Sequence, residues 1–406
     1  MANKKIEEAL KKLQSAIIID DVSSHENIGA LKTLSFGKHK LVIKTLENRK
    51  QYTEALNVIY NWILIKEIDI SYNFIEKSIC KLLIAKTENL LTVLLDNIST
   101  LALKDYYFIR PMFGLILERN TIIEKGKYKF ISKRYIKEHL ESHCQQTSII
   151  DTCFEHSITE NLCYIEMECN AKDFDKANER ANSTYKQLDN VLRFMFGNND
   201  KNMGLGVFDY RVDINGEMFC KCSEGEITTS VSLGVTSPVR PISFDANDWF
   251  FNKDNGNEKI WTILNASPCN EIERRIIKSI EWIGMAINQS QPSISFIQCI
   301  FAIECLLQEQ EGFITKSITA QISEYAAFIV GYDKESKKEI EGLFKKLYEI
   351  RSKIAHGTYV NSLSIELTEA IWLSKQIVIN FLIKPGFKSI ENMSSLRKYI
   401  TELRYS

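Results

Sequence analysis

The sequence predicts a mainly α-helical protein with an α+β middle segment and an antiparallel helical bundle at its C-terminal end. Three observations lead there. Apolar residues recur at three- and four-residue steps through most of residues 1–145 and again through 269–406. Between them, Tyr164-Ile165-Glu166-Met167-Glu168-Cys169 alternates as a strand does. Glycine-bearing turns such as Asn215-Gly216 separate further short alternating runs. The 406 residues leave room for two or three domains, expected at 1–145, 146–268 and 269–406.

Taken in order, the first segment is expected to be a helical N-terminal region. Leu56–Ile63, Ile75–Leu83 and Leu90–Leu103 carry its apolar stripes. The second is α+β. After the strand around Tyr164–Cys169, Asp173–Phe196 returns to helical spacing, and Gly204–Cys222 and Glu226–Phe244 look like short strands. Asp245–Pro268, with Asp254-Asn255-Gly256-Asn257, reads as a polar connection and a domain boundary.

The third segment has the cleanest pattern. Its first helix carries Ile272, Ile276, Ile280, Ile283 and Ile287, and its second Ile297, Ile300, Phe301 and Leu307. The third carries Ile318, Ile322, Tyr325 and Ile329 and stops at Gly331. The fourth carries Ile340, Leu343, Leu347, Ile350 and Ile354. The fifth, from Leu367 to Phe381, ends before Pro385-Gly386, and a short sixth runs from Ser394 to Leu403. Such helices form one bundle.

Composition narrows the function classes. Apolar content is 45%, charged content 25% and the formal net charge −1, so no global basic field marks a binder of long nucleic acid. A local phosphate site is still compatible. Ten cysteines, with a charged, helix-patterned Met1–Lys12 in place of a secretion signal, imply reduced thiols and a cytoplasmic setting. No apolar run is long enough to span a membrane. Neither a Gly-Lys-Ser/Thr phosphate loop nor a Gly-x-Ser-x-Gly elbow is present, which argues against ATP hydrolysis and serine-hydrolase chemistry.

The clearest functional signal is Leu347-Tyr348-Glu349-Ile350-Arg351-Ser352-Lys353-Ile354-Ala355-His356-Gly357. A guanidinium can grip two phosphate oxygens, and an imidazole can carry a proton near neutral pH. Together they suit a phosphodiester. Arg351 follows Leu347 by one turn, at the edge of the apolar stripe. The five-residue step to His356 turns about 140° and rises about 7.5 Å, so the two can flank a ligand without stacking. Ser352 lies one turn before His356 on the same face. In the second helix of this segment, Glu304 falls on the row of Ile297, Ile300 and Phe301, where an apolar residue is expected. A carboxylate there needs a partner, and Arg351 is the candidate. The competing reading leaves Glu304 wet at the bundle rim.

These residues carry a resemblance. Glu273-Arg274-Arg275-Ile276 through Trp282-Ile283-Gly284-Met285-Ala286, then Phe301-Ala302-Ile303-Glu304-Cys305-Leu306-Leu307, then Tyr348 to Gly357, resemble the HEPN superfamily. Its Apea-like branch in bacterial defence proteins is the nearest in pattern, and the likeness covers about residues 270–385. The resemblance implies a HEPN-type bundle and a metal-independent endoribonuclease without a cofactor, acting on RNA such as tRNA. It implies a homodimer whose two Arg–His motifs face one groove. His356 would then be general acid or base on the 2′-OH or the leaving 5′-oxygen, and Arg351 would stabilise charge on the phosphate. Glu304, Ser352, Lys353 and Tyr348 would support them. Ser352 stands where many members have another polar residue. Products would be a 2′,3′-cyclic phosphate and a 5′-hydroxyl, and DNA would survive. Phage defence or toxin-mediated growth arrest is the expected setting, with the N-terminal region sensing a phage-derived trigger or answering to an antitoxin. The alternative is a non-catalytic helical module for dimerisation, nucleotide binding or partner binding.

Other constellations are weaker. His139, His143, Cys144, Cys153 and Cys163 invite a zinc reading, but their spacing fits no familiar finger. Cys220-Lys221-Cys222 is too tight for a metal clip, Gly204-Leu205-Gly206 lacks a dinucleotide loop's third glycine, and Asp209, Asp213, Glu217 and Glu224 read as solvated turn acids.

Overall fold

The computed structural model describes residues 2–21, 30–143, 162–197, 206–207, 218–223, 226–231, 242–245, 248–267, 269–309, 318–357 and 363–405. Thirteen α-helices dominate the described residues, with a small, chiefly antiparallel sheet region in the middle of the chain. Contacts divide the chain into two units.

The first unit joins Met1–Phe108 to Glu168–Asn182. Helix α1 (Ala2–Ser15) precedes strands β1 (Ile18–Asp21), β2 (Lys32–Phe36) and β3 (His39–Ile43), which pair antiparallel in the order β1-β3-β2. Gly37, at φ 60°, makes the tight β2–β3 turn that a residue with a Cβ resists. Helices α2 (Leu46–Ile65), α3 (Tyr72–Ile84) and α4 (Leu90–Ser99) follow. The hydroxyls of Thr45 and Ser71 accept from the Asn48 and Phe74 amides and so start α2 and α3. Leu13, Leu56, Ile59, Ile75, Ile79, Leu94 and Ile98 meet in one buried core. Asp173 is itself buried and accepts from the Ser71 amide (3.0 Å) and hydroxyl (2.7 Å). It thereby satisfies polar groups that burial would otherwise strand.

The second unit joins Ile109–Met167 to Ser183–Ser406. Along the chain, strands β4 (Lys104–Phe113), which begins in the first unit, β5 (Leu115–Ile116), β6 (Ile122–Lys125) and β7 (Tyr128–Ser132) lead to α5 (Ile136–His143), then to β8 (Leu162–Ala171) and α6 (Phe174–Phe196), of which Glu168–Asn182 belongs to the first unit. Beyond α6 come β9 (Gly206–Val207), the hairpin β10 (Met218–Ser223) and β11 (Glu226–Val231), and β12 (Ile242–Ser243). The larger sheet has the order β6-β7-β8-β4-β9, and β12 adds a two-residue parallel pairing with β5. Segment 1–145 therefore holds seven strands besides its helices. The helix expected over Leu90–Leu103 ends at Ser99, because Asp105-Tyr106-Tyr107-Phe108-Ile109 is aromatic and β-branched and favours the extended chain of β4.

Asp245–Pro268, expected as a polar connection, instead contains a 3₁₀ turn at Asp248–Phe251 and helix α7 (Asn257–Asn265). The reason is aromatic burial. Phe244 packs 4.3 Å from Phe130 and 5.0 Å from Phe250, with Trp261 edge-on, and all four are buried. Burial of such rings outweighs the Asn/Asp content of the turn between them.

The C-terminal helices lie where the periodicity puts them: α8 (Glu271–Asn288), α9 (Pro292–Leu307), α10 (Ile318–Val330), α11 (Lys334–Ala355), α12 (Ser364–Ile383) and α13 (Met393–Tyr405). Asn270 with Glu273 forms a capping box at α8, and Asp333 with Ser336 forms one at α11. Three-residue links join α8 to α9 and α10 to α11, which makes each pair antiparallel. Gly284 of α8 lies against the backbone of Asn190 in α6, where a Cβ would meet carbon atoms at 2.6 Å.

Candidate functional site

The site forms where the last turns of α11 pass α9. Along α11, Ile340, Phe344 and Leu347 are buried, whereas Tyr348, Ile350, Arg351 and Ile354 are half-buried. The helix thus carries its polar residues out of the core as it ends. On α9 the fully buried side chains are Phe296, Cys299, Ile300, Ile303, Leu306 and Leu307, among others. Ile297 and Phe301, expected to face the core, are half-buried and share the margin with Glu304.

That margin meets Arg351. Its Nη2 lies 3.6 Å from Glu304 Oε1, with the Glu304 side chain 13% exposed and that of Arg351 28%. This separation is an ion pair and exceeds a direct hydrogen bond. The Tyr348 hydroxyl lies close enough to the Glu304 carboxylate to interact with it. The guanidinium carbon lies 5.6 Å from the ring centres of both Phe301 and Tyr348, so two π faces bracket the cation. Trp282 of α8 braces Phe301 edge-on at 5.5 Å. The Arg351 Nε–H is buried and, among the described residues, has no hydrogen-bond acceptor.

Burial pushes the Glu304 carboxyl above its usual range, and the Arg351 charge and the Tyr348 hydroxyl pull the other way. Burial, then the Glu304 charge, raises the Tyr348 phenol. Tyr348 is thus held as a neutral phenol beside the carboxylate.

His356 is the C-cap of α11. Its amide donates to the Ser352 carbonyl at 3.1 Å, and Gly357, at φ 74°, ends the helix. Its side chain is exposed, as is that of Lys353, and Ser352 is half-buried. The structure thus gathers Glu304, Tyr348 and Arg351 into one contact group and leaves His356, Ser352 and Lys353 on the final turn beyond it. Phe301 and Trp282 complete the group without having been singled out as site residues. The available signal was Phe301 standing three residues before Glu304, hence on the same face.

The rival zinc constellation is otherwise engaged. His139 Nε2 lies 2.6 Å from Glu166 Oε2, and Lys129 donates to the other carboxylate oxygen at 2.9 Å. Both hold the Glu166 carboxyl below its usual range against the opposing effect of burial. Cys163 is fully buried and its thiol is pushed upward. The His143 side chain, Cys144 and Cys153 lie outside the described residues, as do Gly204, Leu205, Asp209, Asp213, Glu217 and Glu224. Cys220-Lys221-Cys222 lies within β10, paired to β11. Among the described residues no group of three or more His, Cys, Asp or Glu side chains is placed to hold a metal ion, and no helix is long and apolar enough to cross a membrane. Comparison with protein-family models, curated proteins and solved structures yields no match.

Proposed function

We propose that this chain is a metal-independent endoribonuclease of HEPN type, with Arg351 and His356 as its catalytic residues. The observation that carries the reading is a fixed guanidinium and an exposed imidazole on consecutive turns at the end of one helix. Arg351 is held by Glu304 on one side and by two rings on the other, and its side chain keeps some solvent exposure. It can therefore meet a phosphate without first being ordered. His356 stands clear of such constraints and can accept a proton from the 2′-hydroxyl. The 2′-oxygen then attacks phosphorus, and the bond to the 5′-oxygen breaks as that oxygen takes up a proton. Two copies of the chain supply the acid and the base in this reading, so the working unit is a homodimer in the cytoplasm. Lys353 adds a cation at the same helix end, and the N-terminal region supplies control in phage defence or growth arrest.

A second reading is a non-catalytic helical module. It is favoured by the same ion pair, since an arginine committed to Glu304 needs no substrate to justify it. One experiment separates the two. Wild type, Arg351→Ala and His356→Ala are incubated in EDTA with total tRNA and a single-stranded RNA, and the product ends are analysed. Cleavage by wild type alone, leaving cyclic phosphate and 5′-hydroxyl ends, supports the enzyme. Equal cleavage by all three proteins removes the site assignment, and none by any fits either the module or an enzyme awaiting its trigger.

A further inference from the structure

A cavity of about 410 Å³ lies at the C-terminal end of α6, within the second unit. None of its lining residues belongs to the Arg351 group. Its walls include Trp249 of the 3₁₀ turn and Trp372 of α12, 50% and 45% exposed. Trp249 is fixed from two sides: its indole N–H donates to the Met195 carbonyl (2.8 Å), and its own carbonyl accepts from the Asn257 side chain (2.8 Å). Lys375 lines the same cavity and is the only ionisable side chain among the described residues that do.

Lys375 is an odd tenant. Its ammonium donates to the Phe194 carbonyl at 3.0 Å, and among the described residues no carboxylate pairs with it. A Cβ at Gly197 would collide with the ammonium, so this glycine, at φ 69°, leaves the space it occupies. Burial pushes the amine down to about 8. Capping the end of α6 uses one of three N–H donors. Two remain, in a cavity that Trp249, Trp372, Asn255 and Gln376 also line. A half-buried cation with no carboxylate partner among the described residues, in a cavity of ligand size that two tryptophans line, suits an anion on an aromatic ring.

We propose that this cavity binds a small ligand with a planar aromatic body and one anionic group, Lys375 meeting the anion and Trp249 and Trp372 the ring. Both a nucleoside monophosphate and an aromatic carboxylate have that chemistry. The reading is independent of the ribonuclease proposal, because its test measures binding.

Isothermal titration of the full chain at pH 7 uses four probes in two pairs: adenosine 5′-monophosphate against adenosine, and indole-3-carboxylate against indole-3-carboxamide. At least one anion should bind saturably and at least tenfold tighter than its neutral twin, and whichever pair shows the gap identifies phosphate or carboxylate. Lys375→Gln keeps a donor for the Phe194 carbonyl but removes the charge, and should erase the gap while circular dichroism stays unchanged. In wild type the gap should also shrink between pH 7 and pH 9.5 as the amine loses its proton, a readout that needs no variant. No saturable binding of either anion, equal binding within both pairs, or an unchanged gap in Lys375→Gln or at pH 9.5 would overturn the proposal.

Discussion

The pairing of Glu304 with Arg351 can be measured by a double-mutant cycle. The perturbations are Glu304→Gln, which keeps the shape of the side chain, and Arg351→Met, which keeps an apolar stem between the two rings. At the observed 3.6 Å, two unit charges attract by about 1 kcal/mol in bulk water and by about 4–5 kcal/mol near a protein surface. Both groups retain some solvent contact, and the pair lacks a direct hydrogen bond, so the coupling belongs near the lower figure, at about 1–2 kcal/mol. Urea unfolding of the four proteins at pH 7 gives it directly. The pH dependence has a definite sign. Burial raises the Glu304 carboxyl above its usual range, so on acidification it takes up its proton while a free glutamate is still ionised. The coupling should decline as pH falls through that raised value. A coupling below about 0.3 kcal/mol, within the error of additivity, or one that grows on acidification, would refute the claim that Glu304 holds the arginine. If the pair positions Arg351 for catalysis, Glu304→Gln should also slow RNA cleavage by about tenfold for each 1.4 kcal/mol lost at the transition state.

Three further outcomes follow from packing and linkage. Gly284→Ala should destabilise by about 1–3 kcal/mol, although helix propensity alone predicts a gain of about 1 kcal/mol, because the new Cβ meets the Asn190 backbone; a raised melting temperature would contradict the close approach of α8 and α6. Asp173→Ala removes two acceptors from Ser71 and one from the Lys176 amide, and should cost about 2–3 kcal/mol in denaturant titration; a loss within error would mean that water replaces them freely. Lys375→Met should stabilise at pH 7, because the folded protein holds an amine whose affinity for a proton is lowered from 10.5 to about 8. The unfolded chain binds the extra proton, so wild type gains stability as pH rises from 8 to 10.5 and the advantage of the variant fades over that window; a pH-independent difference between their melting temperatures would show that the charge is not the cause.

The C-terminal helices were legible because pattern and punctuation agree there. Ile272, Ile276, Ile280 and Ile283 keep one period, and Asn270 with Glu273 marks the start of the same helix. Strands β2 and β3 were not, though the information was present. Lys32-Thr33-Leu34-Ser35-Phe36 alternates, and Gly37-Lys38 is a two-residue turn. Each strand has only five residues, and the lysines around them read equally well as a solvated helix. The segment around α7 was misread for a different reason. Asn255-Gly256-Asn257 is a genuine turn, with Gly256 at φ 81°. The partners of Phe244, Phe250 and Trp261 include Phe130, more than a hundred residues away, which no local window contains.

At the site, the sequence exposed what was out of place and hid what was in place. Glu304 stood out as a carboxylate within an apolar run, and its pairing partner followed from the cost of burying it alone. Phe301, in contact with the same arginine, was hidden because an aromatic residue on an apolar helix looks like ordinary core. The two candidate catalytic residues then come out physically unlike. Arg351 is braced by a carboxylate and two rings, whereas His356 follows the last helical residue and is exposed. That difference matches their proposed tasks. A phosphate clamp gains from being fixed before substrate arrives, since its contribution is electrostatic and depends on placement. A proton carrier must reach first one oxygen and then another, and the helix end leaves it the freedom to do so.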